Sequence, residues 1–408
     1  MRLLRASAVT LVLTLLLPWC GGSATGPAPR PPLIGAAAWS GQVVDGMPAP
    51  DPDSADPSEI AAFFDRLRPR RAEALAERFP FVVGNLDGAP ITLRYAANRR
   101  AIGLERDRLR AVAADPTATA SVRDSARHTS AVYGRLAGDD RPILVFDPRG
   151  RGRYAEVHGD LERAEHIAVM VPGTGIGLRS FDPRSGHVGT PGEMAGDLAA
   201  AQRRLRPDSV TAIIAWAGYD TPQALGVGAA TATHAEAGAV LLRRLVDGLH
   251  AARAARDGAT DADVVSVDRT GTEGTDGAGT SPHLALFCHS YGSVVCGRAA
   301  AGLAVRDVVV FGSPGVGADT AAELSTDARV WAALGPQDWI RHVPNVRLLG
   351  FGHGRDPSSV DFGARRVPAA RVAGHDGYLR DGSDSARWFA RISLDLVTEP
   401  YRSSSNRT

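Results

Sequence analysis

The C-terminal two thirds of the chain alternates between short apolar runs and alanine-rich helical patterns. The apolar runs are rich in Val, Ile and Phe, and several of them end in Gly, Ser or Pro. This alternation predicts a mainly parallel sheet covered by helices on both faces. The predicted strands are PILVFDP, YAEVHG, HIAVMVPG, VTAIIAWAG, HLALFCHS, DVVVFGSPG and VWAALG, with a last candidate near 367–373. The predicted helices of this part include 191–205, 234–256, 293–304 and 318–325.

The rest of the chain has a different texture. Residues 58–136 repeat apolar positions at helical spacing, which predicts a helical N-terminal region, a candidate cap over a site in the sheet domain. Residues 25–57 are rich in Pro, Ala and Asp and are expected to form a linker or extended arm. The sheet domain is expected over 137–400, with a flexible Gly/Thr/Asp-rich insertion at 258–281.

The first residues have the pattern of an export signal. Two arginines precede a short apolar core, and small residues follow it, which predicts a signal peptide at 1–24. Cys20 leaves lipoprotein processing as an alternative, although Trp19 directly before it fits that pattern poorly. We expect a secreted or extracytoplasmic protein that keeps no transmembrane anchor after signal cleavage.

Composition excludes some classes of function. The net charge is +1, so the overall charge does not indicate a nucleic-acid partner. All 46 basic residues are arginine, so no Gly-rich loop carries the lysine of a phosphate-binding loop. No group of His, Cys and Asp has metal-ligand spacing, and we expect neither a metal nor another cofactor. The oligomeric state stays open.

Two cysteines remain beyond the signal, at positions 288 and 296. In an oxidising compartment a pair is more often bonded than free, and their spacing around a strand-to-helix turn permits a disulfide between Cys288 and Cys296. Two separate buried thiols are the alternative. A redox module is disfavoured because the spacing is not that of a two-residue redox motif.

The stretch LALFCHSYGSVVCG contains the main candidate for chemistry. An apolar strand leads to Cys288, His289, Ser290, Tyr291 and Gly292, and a helical pattern follows. Small residues two positions before and after a serine are what a nucleophile on a sharp strand-to-helix turn needs, because bulky neighbours would clash. We therefore expect Ser290 to be a nucleophile, with an ordinary turn serine as the alternative.

A serine nucleophile needs a base and an acid that orients the base. With this order of strands and helices, the acid follows the serine along the chain and the histidine follows the acid. Asp338 follows the VWAALG strand at the expected edge of the sheet; Asp307 and Asp319 are its rivals. His375, in the Gly-flanked loop VAGHDGYL, is the favoured base. His353 is the alternative, His342 is disfavoured because it is so close in sequence to Asp338, and His289 is expected to be structural.

The oxyanion of such a reaction needs two backbone N–H donors. One should be the N–H of Tyr291 at the helix N-terminus, and the other that of Thr174 or Gly173 in the turn after HIAVMVPG. A simple glycine turn is the alternative for that loop. Tyr219 and Asp220, which end another strand at the same edge, are candidates for substrate binding or for anchoring the loop.

Several of these stretches together resemble an α/β-hydrolase family of unknown function that is widespread in high-GC Gram-positive bacteria. They include ILVFDPRGRGRYAEVHGDLERAEHIAVMVPGTG, AIIAWAGYDTP, CHSYGSVVCGRAA, DVVVFGSPGVGA and GHDGYL. The resemblance spans roughly residues 80–380 and implies the α/β-hydrolase fold, with Ser290, Asp338 and His375 at the triad positions. It supplies no substrate, and Cys288 departs from the glycine common at its position.

The sequence therefore predicts a secreted serine hydrolase that cleaves an acyl bond through an acyl-enzyme. A carboxylic ester of a small or lipid-like molecule is the favoured substrate, and thioesters or amides remain open because specificity depends on the loops. The competing hypothesis is a cell-envelope or binding protein that uses the same scaffold without catalysis.

Overall fold

The computed structural model describes residues 32–138, 141–180, 188–223, 226–264 and 282–397. The expected signal peptide, with Cys20, lies outside these residues, as does most of the expected insertion. Within the described ranges, no helix combines the length and the apolar character that a membrane span requires.

The strands match the predicted runs closely, and the longer ones form one sheet. In chain order the strands are β1 Val43–Val44, β2 Met47–Pro48, β3 Ile143–Asp147, β4 Arg153–Gly159, β5 His166–Val171, β6 Thr211–Ala217, β7 His283–His289, β8 Asp307–Phe311, β9 Gly315–Ala318, β10 Arg329–Ala333, β11 His353–Gly354 and β12 Arg365–Arg366. The central sheet has eight strands in the order β3-β4-β6-β5-β7-β8-β10-β12. β4 is antiparallel to both of its neighbours, β3 and β6. The other pairs in the sheet, β6-β5, β5-β7, β7-β8, β8-β10 and β10-β12, are parallel.

Helices cover both faces of this sheet, and further helices form the N-terminal region with its own core. The helices are α1 Ala36–Trp39, α2 Pro57–Asp65, α3 Pro69–Arg78, α4 Pro80–Val83, α5 Ile91–Ala114, α6 Ala120–Leu136, α7 Pro191–Leu205, α8 Val227–Ala230, α9 Thr233–Val264, α10 Gly292–Ala299 and α11 Asp384–Ser393. Alternate residues of β5 belong to opposite cores: Val169 packs in the core that contains α9 and α10, whereas Met170 packs in the core that contains α7 and α11. The predicted fold class is thereby confirmed.

The expectation of a linker or extended arm at 25–57 was wrong for its described part. From residue 32 the chain folds back, and Trp39 is fully buried with its ring against Phe63 and Phe79. Its indole N–H donates to the carbonyl of Pro50 at 2.8 Å. Burial of this aromatic side chain, together with Leu33 and Ala36 in the same core, orders a segment whose composition suggests a linker.

Two predicted elements near the C-terminal edge of the sheet are also corrected. The helix expected at 318–325 is a single 3-10 turn at Ala322–Leu324, and left-handed backbone at Ser325 ends it. The strand expected at 367–373 is only Arg365–Arg366, because Pro368 has no N–H to continue the ladder.

Two predicted helix ends differ as well. The helix expected at 293–304 ends at Ala299, and the one expected at 234–256 runs to Val264. The longer helix enters the segment expected as a flexible insertion, and the rest of that segment, 265–281, lies outside the described residues.

The helical N-terminal region attaches to the edge of the sheet at β3. The side chain of Asn85 donates to the carbonyl of Phe146 at 2.9 Å and accepts from its N–H at 3.0 Å, as a neighbouring strand would. Asn98 donates to the carbonyl of Ile143 at 3.0 Å. The region therefore covers an edge that would otherwise expose unpaired backbone groups. Its role as a cap stays a prediction.

Candidate active site

Ser290 occupies a strained turn between β7 and α10. Its φ is 54°, in the left-handed region that non-glycine residues rarely adopt, and its N–H donates to the carbonyl of Phe311 at 3.0 Å. Two residues later, a β-carbon at Gly292 would lie 2.5 Å from the carbonyl oxygen of Val171. The small residue that the sequence offers there is therefore required by packing.

A disulfide joins Cys288 and Cys296, as one of the two sequence-based alternatives expected. Both cysteines are fully buried, and their Cα atoms are 6.4 Å apart. The bond connects the end of β7 to the middle of α10 and so closes the turn that carries Ser290.

His375 and Asp338 form a direct pair. His375 Nδ1 donates to Asp338 Oδ1 at 2.8 Å, and Asp338 is fully buried. The loop after β10 supplies the aspartate, and the loop after β12 supplies the histidine. Both residues were singled out from the sequence, and the structure brings them together.

The Asp338 carboxylate has two more donors. The Tyr378 hydroxyl donates to Oδ2 at 2.6 Å, and the Ile340 N–H donates to Oδ1 at 2.9 Å. Burial alone would raise the pKa of Asp338, but the hydrogen bond and charge of His375 and the bonds from Tyr378 and Ile340 outweigh it and hold the pKa below its usual value. The carboxylate is thus ionised at neutral pH.

Sequence reasoning missed Tyr378, although it lies three residues after His375. Its hydroxyl also accepts the N–H of Gly335 at 3.0 Å, so one phenol connects the base loop to the acid loop. A tyrosine close behind a candidate base was the one signal available for it.

His289 supports the base from the other side. Its Nε2 donates to the backbone carbonyl of His375 at 2.9 Å, and the two ring centroids are 4.6 Å apart. Burial, and then the neighbouring His375, lower the pKa of His289 to about 3, so this ring is neutral at physiological pH. Its position agrees with the structural role expected from the sequence.

Ser290 and His375 both lie against the turn that follows β8. The N–H of Ser290 bonds to Phe311, and a β-carbon at the next residue, Gly312, would lie 3.2 Å from His375 Cε1 and 3.0 Å from Asp338 Oδ2. Among the described hydrogen bonds, none joins Ser290 Oγ to His375 Nε2. The three predicted residues therefore lie around one turn, at Phe311 and Gly312, without a described hydrogen bond between the serine and the histidine.

The loop after β5 lies directly against the serine. A β-carbon at Gly173 would lie 2.6 Å from Cβ of Ser290 and 3.0 Å from its Oγ. The backbone N–H groups of Tyr291, Gly173 and Thr174 donate to none of the described residues. A pair of unused donors can thus be presented to an atom bound at Ser290.

Neighbouring loops hold this loop in place. The Tyr219 hydroxyl donates to the carbonyl of Pro172 at 2.7 Å, the Thr221 hydroxyl to that of Ile176 at 2.6 Å, and Arg151 Nη2 to that of Gly175 at 2.7 Å. Thr221 and Arg151 were missed, because nothing in the sequence indicates contacts so distant along the chain.

The assignment of Tyr219 to substrate binding was wrong. Its side chain is fully buried, stacks on Trp216 and bonds to the Pro172 carbonyl, so of the two roles expected it has that of a loop anchor. Asp220 is exposed, and its carbonyl contacts His234 Nδ1 at 2.8 Å. A contact between Asp220 and a substrate stays a prediction.

The rival acids and bases lie elsewhere. Asp307 is at the start of β8, where Arg329 and the indole of Trp331 hold it, and Asp319 binds Arg347. His353 is buried with Nε2 bonded to the carbonyl of Ala229 at 2.7 Å. His342 is exposed and has no described contact with Asp338.

One cluster has the composition of a metal site. His283, Asp307 and Asp395 offer ligand atoms within 4.8 Å of one another, at the end of the sheet opposite Ser290. The guanidinium of Arg329 binds both carboxylates, with 2.7 Å to Asp307 Oδ2 and 2.6 Å to Asp395 Oδ1. The guanidinium thus occupies oxygens of both carboxylates, and the groups form an ion-pair network.

Comparison with known proteins agrees with this architecture. The model of a family described as alpha/beta hydrolase matches residues 147–267 and 253–348. An uncharacterized protein of Mycobacterium tuberculosis, found in two strains, is 26% identical; the match covers 84% of this chain and 56% of that protein. The chain thus corresponds to little more than half the length of these relatives.

Solved structures show a more distant likeness. A Xanthomonas campestris α/β serine hydrolase without a lid is 14% identical, with a TM-score of 0.32 over 64% of this chain and 95% of that one. The esterase LipW of Mycobacterium marinum is 17% identical, with a TM-score of 0.29 over 71% of this chain and 96% of that one. Because these TM-scores are low, the assignment of the fold depends on the family model and on the sheet described above.

Proposed function

Because the chain belongs to the α/β-hydrolase family, we propose that it is a serine hydrolase that cleaves a carboxylic ester. The observation that carries the proposal is the bonded His375–Asp338 pair, which lies against Gly312, next to the residue whose carbonyl accepts the N–H of the strained Ser290. A buried carboxylate bonded to a histidine, close to a buried serine in left-handed backbone, is costly to build unless the three groups act together.

The position of the proton on His375 defines the roles of the three residues. Because His375 Nδ1 donates to the carboxylate, its Nε2 carries the lone pair and can take the proton of Ser290 Oγ. A rotation of the serine side chain would close that contact, and such contacts commonly tighten only when a substrate is bound. Asp338 would orient the ring and stabilise the imidazolium that forms.

The reaction would proceed in two halves. Ser290 Oγ attacks the ester carbonyl, His375 returns the proton to the departing alcohol, and water then hydrolyses the acyl-enzyme with the same base. The N–H of Tyr291 and that of Gly173 or Thr174 would stabilise the oxyanion in both halves. Their loops are fixed before substrate arrives, so no reorganisation is needed at the moment of reaction.

An ester is the preferred acyl bond because an alkoxide leaves more readily than an amine, so a triad without further specialisation cleaves esters most readily. Thioesters and amides are the alternatives for the same machinery. We also propose that the protein works outside the cytoplasm; the buried disulfide next to the nucleophile supports this, since such bonds persist in oxidising compartments.

The test is steady-state hydrolysis of soluble aryl esters with acyl chains of increasing length. We expect Ser290→Ala and His375→Gln to lose about a thousandfold or more in kcat, and Asp338→Asn to lose somewhat less. Ser125→Ala, an exposed serine on α6, is the matched control and should keep full activity. Ester turnover that survives Ser290→Ala would refute the proposal, and a folded protein inert to every acyl donor would favour a binding protein on this scaffold.

A further inference from the structure

The loop between Asp338 and His375 carries a group of exposed apolar side chains. Leu349 is 89% exposed, Leu348 68%, Val346 56% and Phe351 46%. We refer to these four residues as the apolar tip. Scattered exposed apolar residues are ordinary, but four of them within six positions of one loop are a concentration, and concentrations of exposed apolar surface mark interaction sites.

The apolar tip is a built feature of the fold. Leu348 and Phe351 exchange both backbone hydrogen bonds at 2.9 Å, which closes a tight turn. Leu349 sits in that turn with φ at 51°, a conformation that glycine or asparagine adopts more easily. A leucine that is strained and also faces water is unfavourable in the isolated molecule, which indicates that its side chain is used.

The base of this turn is anchored. Arg347 Nη1 donates to the carbonyl of Gly317 at 2.8 Å, and the N–H of Gly352 donates to that of Ala230 at 2.8 Å. The leucines are therefore held away from the body of the protein by a fixed support.

The apolar tip lies beside the candidate active site. Phe351 pairs with Thr231, and the carbonyl of Thr231 accepts the hydroxyl of Tyr291, the residue that follows Ser290. At the start of the same loop, the ring of Trp339 is 39% exposed and its centroid is 4.8 Å from that of His375. One loop thus joins the surroundings of the serine to an exposed apolar surface.

We propose that the apolar tip inserts into a lipid surface and brings the site to ester substrates held in that surface. The charge of the loop fits this occupant: residues 339–355 include Arg341, Arg347 and Arg355 and no Asp or Glu. Arg347 pairs with Asp319 and Arg355 with Asp361, whereas Arg341 has no carboxylate partner among the described ion pairs. Leucine and aromatic side chains flanked by arginines are typical of surfaces that enter the boundary between headgroups and acyl chains.

A second copy of the chain is a less suitable occupant. A stable protein interface takes roughly 20 to 30 residues from each side, and the apolar tip has far fewer. The inference rests on the proposed esterase function for its substrate, whereas the lipid contact itself does not depend on catalysis.

The test is co-sedimentation of the full chain with vesicles of phosphatidylcholine, with and without phosphatidylglycerol. The variant is Leu348→Ser/Leu349→Ser, and the matched control is Val43→Ser/Leu104→Ser, which changes exposed apolar residues of the N-terminal region. We expect the tip variant to lose about tenfold or more in vesicle binding and the control to keep it. Hydrolysis of a soluble short-chain ester should stay within about twofold for both, whereas hydrolysis of an ester embedded in vesicles should fall with the tip variant.

The outcomes separate the two claims. Equal vesicle binding by the wild type and the tip variant, or no binding by the wild type, would overturn the lipid contact. A lipid-free dimer that the tip variant abolishes would overturn it in favour of self-association. Tip-dependent vesicle binding by a wild type that hydrolyses neither ester would uphold the lipid contact and remove the esterase proposal.

Discussion

At the scale of single residues, the carboxylate of Asp338 shows how the candidate base is held. Its two oxygens accept hydrogen bonds from His375, Tyr378 and the N–H of Ile340. His375 is further fixed by His289, which binds its carbonyl. The orientation of the base therefore depends on groups that would never touch a substrate.

Tyr378→Phe tests that dependence. Without the hydroxyl, one carboxylate oxygen and the N–H of Gly335 lose their partner, so Asp338 is free to rotate away from His375. We expect kcat to fall about tenfold, since general-base catalysis depends on alignment, while KM stays nearly constant because Tyr378 does not reach the substrate. Steady-state kinetics on a soluble ester measures both.

Tyr133→Phe is the control for Tyr378→Phe, because Tyr133 is also buried but lies near the β3 edge. A rise in KM without a fall in kcat for Tyr378→Phe would contradict the positioning role and indicate substrate contact instead.

The sequence was most informative about residues whose order along the chain is fixed by the fold. Asp338 and His375 could be selected because each follows a strand, and the structure pairs them. Thr221 and Arg151 could not be selected, because each acts through one bond to a distant backbone carbonyl, and the only signal for Tyr378 was its closeness to His375.

At the scale of elements, the disulfide between β7 and α10 is a covalent constraint on the turn that holds Ser290. It encloses the serine within a separation of eight residues. Removing it with Cys288→Ala/Cys296→Ala should lower the free energy of unfolding by about 2 to 3 kcal/mol, as expected for a short closed loop. Urea denaturation of the oxidised proteins measures the difference.

Reductant separates this effect from loss of the sulfur atoms. In urea titrations, reductant should lower the free energy of unfolding of the wild type and leave that of the double variant unchanged. Equal stability of the wild type with and without reductant would show that the bond contributes nothing.

Element types were predicted well where strands are long and apolar, as for β5 to β8. Prediction failed where a tertiary contact decides the outcome. Trp39 orders a segment with the composition of a linker, and Pro368 stops a strand whose side chains favour it. Single-residue effects of this kind override the average tendency of a segment.

At the scale of the whole molecule, buried histidines make stability depend on pH. Burial is the main reason why the pKa values of four histidines lie below their usual value. They are His158, His166, His289 and His353. In the unfolded chain each binds a proton below about pH 6.5, whereas the folded protein resists that proton. The free energy of unfolding should therefore fall as pH decreases from about 6.5 to 5.

His289→Gln isolates one contribution, because its pKa of about 3 keeps it neutral throughout this range. We expect the slope of unfolding free energy against pH to decrease by up to about 1.4 kcal/mol per pH unit, the value for one proton. Urea denaturation at several pH values gives the slope. The same substitution at the exposed His342 is the control, and an unchanged slope for His289→Gln would contradict the burial argument.

The central claim is that Ser290 is an activated nucleophile, and covalent labelling with a fluorophosphonate tests it most directly. The wild type, Ser290→Ala and His375→Gln would be treated alike, then analysed by intact mass and peptide mapping. We expect a single adduct on Ser290 in the wild type, none in Ser290→Ala, and labelling slowed about a hundredfold or more in His375→Gln. An adduct on another residue, or a folded wild type that stays unlabelled while its site admits the probe, would contradict the claim.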